Sequence, residues 1–139
     1  MYKDEIANCY CAKAHRLEMI MTKYYNDKLA PFNITVCQYC LLIHIDAAET
    51  GSLSEIAKRA NLDRSTLART IKPLIQKGLA EDLRTNGARS SQMRLTKEGR
   101  AKIEEVRQAW LAAQHHIEEV MERDNLAVLD ILLKQVEKL

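Results

Sequence analysis

The 139-residue sequence predicts a mainly α fold carrying a small β-hairpin. Three observations lead there. Only 4 Gly and 2 Pro interrupt the chain, too few for a many-turned β architecture. Apolar residues recur at three- and four-residue steps over most of its length, which is the period of amphipathic helices. Strict alternation is confined to a stretch from Leu79 to Leu95, around an Asn-Gly pair. The length suits one domain, and 47% apolar with 29% charged content excludes a disordered chain. No apolar run reaches the roughly 18 residues of a membrane span, and the start, with Lys3, Asp4 and Glu5, lacks the apolar stretch of a secretion signal. A cytoplasmic protein with no membrane partner is expected.

Residues 4–29 contain neither Gly nor Pro, and Ile6, Tyr10, Leu17, Ile20, Met21 and Tyr24 trace one face of a long helix that stops before Pro31. Thr35 with Gln38 has the form of a capping box opening a second helix, with Val36, Cys40, Ile43 and Ala47 along one apolar face. After Gly51, Ser52 and Glu55 cap a short helix carrying Leu53, Ile56, Ala57 and Ala60. Asn61-Leu62-Asp63 is a tight connection, and a helix from about Arg64 to Lys77 buries Leu67, Ile71, Leu74 and Ile75. Two short helices so closely joined predict a helix-turn-helix. On the second, Ser65, Arg69, Lys72 and Gln76 follow i, i+4, i+7, i+11 spacing and share a polar face. Short hydroxyls for close approach and long cations for bases or phosphates are what a DNA major groove requires of such a face. Pro73 removes a backbone donor and crowds Arg69, so a bend is expected there, with contacts coming mainly from the first two turns.

Leu79, Glu81 and Leu83, then Met93 and Leu95 between Gln92 and Arg94, read as two strands joined through Thr85-Asn86-Gly87-Ala88. The loop holds Arg84 and Arg89 with no acidic residue between them, which suits a wing laid along phosphates or into a minor groove. Thr96 starts a long helix to about Arg123, in which Ile103, Val106, Trp110, Ala113, Ile117 and Val120 form a coiled-coil-like seam. A last helix, Asn125 to Leu139, is apolar on more than one face, which calls for a second subunit. The net charge of +2 conceals a segregation: residues 51–100 hold 11 basic and 5 acidic side chains, whereas acidic residues outnumber basic ones on both sides. Such asymmetry fits a central lobe that faces a polyanion, and taken alone it fits a solvated basic surface as well.

This order of elements spans the whole chain. Within it stand Leu62-Asp63-Arg64-Ser65-Thr66-Leu67-Ala68-Arg69, Leu74, Lys77-Gly78-Leu79 and Leu95-Thr96-Lys97-Glu98-Gly99. These segments resemble the recognition-helix and post-wing signatures of the MarR family of bacterial transcriptional regulators. The resemblance implies a winged helix-turn-helix lobe (35–100) between long N- and C-terminal dimerisation helices (1–34 and 101–139). It implies a homodimeric regulator, a repressor without catalytic activity or cofactor, on a pseudo-palindromic operator in double-stranded DNA. Release would follow binding of a small-molecule effector or a thiol modification. Ser65, Thr66 and Arg69 are expected at base edges; Arg64, Lys72 and Arg89 are expected at phosphate or in the minor groove. Where the family commonly has an Asp-Arg-Arg run, this chain has Gly87-Ala88-Arg89, so only Arg89 carries over and the usual acidic brace of the wing is unassigned.

All 4 cysteines lie in the first 40 positions: Cys9, Cys11, Cys37 and Cys40. Structural disulfides are disfavoured in the expected compartment, leaving metal binding, thiol sensing and packing. Cys9-x-Cys11 is a poor chelate within a helix, its side chains about 200° apart. Cys37-x-x-Cys40 can share a face, with Cys37 in the first turn after Thr35, an activating position for a thiol; Cys40, in the apolar stripe, reads as packing. The family's organic-peroxide sensors carry a reactive Cys in the first helix. Alignment on Met21-Thr22-Lys23 and Asn33-Ile34-Thr35 puts Cys11 there and Tyr25 at one supporting Tyr, with Val36 in place of the other. Cys11 and Cys37 are thus the candidate thiol sensors, for oxidants, electrophiles or a soft metal or metalloid. Tyr25 and Tyr39 are candidates to line an effector pocket, whereas Tyr10 and Tyr24 read as core. No metal site is assigned, because adjacent His115 and His116 cannot converge and His15 and His44 lack partner spacing. A small thiol oxidoreductase using Cys37 and Cys40 is the enzyme rival, without the βαβ context it needs. A purely architectural winged helix would bind random and cognate DNA alike.

Overall fold

The computed structural model describes residues 1–85 and 87–139. Helices α1 (Tyr2–Ala7), α2 (Tyr10–Leu29), α3 (Val36–Ala47), α4 (Leu53–Ala60) and α5 (Arg64–Gln76) are followed by strands β1 (Ala80–Asp82) and β2 (Met93–Leu95), then α6 (Lys97–Met121) and α7 (Arg123–Val136). Among the described residues no helix is long and apolar enough to cross a membrane.

The helix expected over 4–29 is two. At the break the Asn8 side-chain amide donates to the Asp4 carbonyl at 3.0 Å, and Cys9 leaves helical geometry with φ −65° and ψ 118°. Asn ends a helix readily because its side chain competes for backbone partners. At α3 the capping box forms as expected: Gln38 N donates to Thr35 Oγ1 and Thr35 N to Gln38 Oε1, both at 3.1 Å. Its buried face is another matter. Tyr39, Leu41, Leu42 and Ile45 enter the core, while Ile43 is 42% exposed and Cys40 and Ala47 also face outward. This helix is apolar nearly all round, so its period did not single out a face; packing against α2, α4, α5, α6 and β2 did.

The helix-turn-helix closes through Asn61, whose left-handed φ of 53° ends α4, a conformation Asn tolerates. From there α5 continues unbroken through Pro73 to Gln76. Leu67, Ile71 and Leu74 are buried, but Ile75, expected inside, is exposed, since the core lies under its neighbour Leu74. The strands pair antiparallel with Ala80 opposite Leu95 and Asp82 opposite Met93. Gly51 adds a bridge on the far side of Met93, with N···O distances of 3.1 and 2.8 Å. The ladder ends at Asp82 and Met93, followed by one more bond from Leu83 N to Gln92 O at 2.9 Å, and Ala88 N donates to Thr85 O at 3.1 Å across the expected turn; Asn86 lies outside the described residues.

The core joins α3, α4, α5, both strands and Val106 of α6, so it sits beneath the helix-turn-helix. On α6, Val106, Ala113 and Ile117 of the expected seam are buried, whereas Val120 is exposed. The two ends of the chain are different. Tyr10, expected in the core, is 86% exposed, and so are Ile6 and Ile20 for the most part. The last helix, α7, buries none of its residues although it carries Val128, Ile131, Leu132, Leu133 and Val136.

Candidate nucleic-acid interface

Helix α5 presents its polar face because Leu67, Ile71 and Leu74 occupy the other side. Ser65, Arg69, Lys72 and Gln76 are exposed on it, with Arg64 at its start and Thr66 half-buried. The residue that organises this end is Asp63, which the sequence reading placed in a connection and gave no role. Its carboxylate caps α5 by accepting from Thr66 N at 3.2 Å and also accepts the hydroxyls of Ser65 and Thr66. Those hydroxyls, first that of Ser65, hold the Asp63 carboxyl down at about 2 from an ordinary 3.8. An ionised carboxylate has no proton to donate, so both hydroxyls are the donors and turn only lone pairs outward. Arg69 Nη2 already lies 3.5 Å from the Thr66 oxygen. The local signal for Asp63 was an Asp directly before the helix.

This cap carries a prediction. Because the folded carboxyl titrates below its ordinary value, its contribution to stability is fully present above about pH 4 and is lost as pH falls through about 2. Asp63→Ala is expected to melt earlier than wild type by a constant margin from pH 7 to about 4, with the margin closing below that. Parallel thermal melts across this range check it, and a margin that widens toward acid would refute the cap assignment.

At the wing, Asp82 supplies an acidic brace that the Gly87-Ala88-Arg89 departure had left unassigned. Its Oδ1 accepts from Gln92 N at 3.0 Å and Arg84 N at 2.9 Å, and its Oδ2 pairs with Arg84 Nη2 at 3.0 Å. The bond from Gln92, followed by those from Arg84 and its charge, lowers the Asp82 pKa. No short-range signal points to this role, since the main partner is ten residues away. Ser91 works similarly at the base of the wing: it is buried, and its Oγ accepts from Leu53 N at 2.8 Å, tying the loop to α4. Arg94 is likewise held, by Glu81 at 2.5 Å. Among the described residues, Arg64, Arg69, Lys72 and Arg89 have no carboxylate within ion-pair distance, which leaves four exposed cations on one helix and one loop. Between α5 and the wing runs a cleft floored by Ile71, Ile75 and Met93 and edged by Lys72, Gln76 and Arg84.

The remaining candidates fall into two places. Cys11 is in the first turn of α2 and exposed. Asn26, fifteen residues on, accepts from Val36 N at 2.8 Å, so the rise along α2 puts Cys11 roughly 22 Å from the start of α3. Cys37 is exposed in that start. Tyr25, Tyr39 and Cys40 meet where α2, α3 and α6 join. Tyr25 Oη donates to the Gln114 side chain. Tyr39 is only 3% exposed, its ring 6.0 Å from that of Trp110, so it is a core residue first. Burial, then the neighbouring Cys40, raises the pKa of both tyrosines. Tyr24 is half-buried and stacks on His116 at 5.6 Å.

Comparison with known proteins agrees with this layout. The model of the MarR family matches residues 34–84. Over 126 residues the chain is 30% identical to the multiple antibiotic resistance protein MarR of Escherichia coli, covering 88% of this chain and 86% of that protein. The crystal structure of a mutant MarR from Escherichia coli complexed with operator DNA is similar with a TM-score of 0.77 and 27% identity, covering 88% of this chain and 89% of that one. The transcriptional repressor CouR, bound to a 23-mer DNA duplex, shares the fold with a TM-score of 0.81 at 22% identity, over 96% of this chain and 95% of that one.

Proposed function

Because this chain belongs to the MarR family, we propose that it is a homodimeric, sequence-specific DNA-binding transcriptional regulator, acting as a repressor on a pseudo-palindromic operator. The observation that carries this reading is the exposed row Ser65, Arg69 and Lys72 on α5 beside the wing cation Arg89. In it, residues 35–100 form the DNA-binding lobe and residues 1–34 and 101–139 join the two copies, which accounts for the uncovered apolar faces of α1, α2 and α7. Arg69 suits a guanine edge, and Ser65 and Thr66, with their protons committed to Asp63, suit the exocyclic amino groups of adenine or cytosine. Arg64, Lys72 and Arg89 neutralise phosphates or enter the minor groove. We read the chain as a cytoplasmic binding protein and assign it neither a reaction nor a cofactor. An effector favouring one spacing of the lobes would shift operator occupancy, and the junction around Tyr25 and Tyr39 is where lobe and dimer helices meet.

Binding of selected operator duplexes across a salt series tests the placement. Arg69→Ala is expected to lose about 10-fold or more in affinity and relax preference at one base position. Arg89→Ala should weaken cognate and random DNA alike and reduce the salt slope by about 1 per lobe. Wild-type affinity and slope in both variants would overturn it.

A further inference from the structure

Helix α3 carries two thiols that operator reading does not use. Cys37 and Cys40 are free and three residues apart on one helix, a spacing that sets their Cβ atoms about 5–6 Å apart. Cys37 is open to solvent in the first turn, beside the Thr35–Gln38 capping box. Cys40, one turn on, is exposed as well and lies next to Tyr25 and Tyr39. Burial, and then the nearness of Cys37, raises its thiol above the ordinary range. A thiol so placed is neutral at pH 7, which disfavours reactions that need a thiolate at the outset, whether attack on an oxidant or proton release to a divalent cation. Among the described residues, moreover, no third His, Cys, Asp or Glu joins the pair to complete a metal's ligand set.

One class of ligand needs only two donors and consumes thiols in their protonated form. A monosubstituted trivalent arsenical, R–As(OH)2, condenses with two thiols. Two As–O bonds break, two As–S bonds form, and each thiol proton leaves with a hydroxide as water. Arsenic stays trivalent and no electrons are transferred. We propose that Cys37 and Cys40 form a dithiol site for monosubstituted trivalent arsenicals, closed by two As–S bonds across one turn of α3. Neither cysteine is among the residues assigned to DNA.

Phenylarsine oxide, titrated into the full-length protein kept reduced with a phosphine and followed by native mass spectrometry, tests this. The competing pair is removed first, as Cys9→Ser/Cys11→Ser. That variant is expected to bind one tight equivalent per chain, released by a 1,2-dithiol and not by an equal concentration of monothiol groups. Adding Cys37→Ser or Cys40→Ser to it should weaken binding by about 100-fold or more, because the second donor's effective concentration is lost. Cys40→Ala should behave as Cys40→Ser does, which separates loss of the donor from any effect of a hydroxyl at that position, and melting midpoints confirm folding. The proposal fails if Cys9→Ser/Cys11→Ser binds no tight equivalent, or if tight binding survives loss of Cys37 or Cys40 in that background.

Discussion

Gly99→Ala is expected to lower the melting midpoint by about 10 °C. An added Cβ would sit 2.1 Å from the Leu79 carbonyl oxygen, 3.1 Å from its carbon and 3.2 Å from Leu95 Cδ2. The obstacle is backbone, which cannot swing aside as a side chain can. That same Leu79 oxygen accepts from Thr96 N at 3.2 Å, while the Thr96 hydroxyl donates to Gly78 O at 2.6 Å and caps α6 by accepting from Gly99 N at 3.0 Å. Relieving the clash means lifting the start of α6 off Leu79 and breaking that cap. Overpacking costs about 1–3 kcal/mol, and an immovable neighbour puts this case near 3 kcal/mol. The sign is decisive, because in a helix with open surroundings Gly→Ala stabilises by about 1 kcal/mol. Thermal or urea unfolding measures it, and a variant as stable as wild type would show that the approach of Gly99 to Leu79 is looser than described.

Leu133→Asp is expected to separate the dimer into monomers and to cut operator affinity by about 100- to 10,000-fold. Leu133 is 63% exposed in the single chain, beside Leu132 and Val136 on a 14-residue helix that buries nothing. An isolated helix of that length is marginal in water, so α7 draws its stability from what covers it. In a dimer the new carboxylate would be desolvated without a partner, which is a strong penalty. Two linked lobes gain from effective concentration, and one lobe alone does not. Analytical ultracentrifugation and operator titration should move together, with the monomer's salt slope falling toward half. A variant that stays dimeric, or a monomer that binds as wild type does, would show that α7 is not the joining surface.

The helix-turn-helix was legible because its signals are local. Thr35 with Gln38, Ser52 ahead of α4 and Asn61 in the turn each act within four residues, and the structure has all three in those roles. The polar face of α5 followed from the period of Leu67, Ile71 and Leu74. What escaped was set by longer connections. Asp82 braces the wing through Gln92, ten residues away, and Ser91 reaches back to Leu53 across thirty-eight. Gly99 looked like a signature residue, and only its approach to Leu79 explains why no side chain fits there. For the thiols, the helix break at Cys9 and the outward turn of Cys40 altered the surroundings that a continuous helix and an apolar stripe had implied.

By itself, then, the sequence determined the type and order of the elements apart from the break near Cys9, the caps at Thr35 and Ser52, and the basic lobe between acidic flanks. Backbone hydrogen bonding and helical period act over a few residues, and such effects are written into adjacent letters. Tertiary structure alone decided which side of the largely apolar α3 is buried, how the wing is braced, and which apolar faces at the two ends the single chain leaves uncovered. Burial is summed over neighbours brought from far along the chain, and no local pattern specifies that sum.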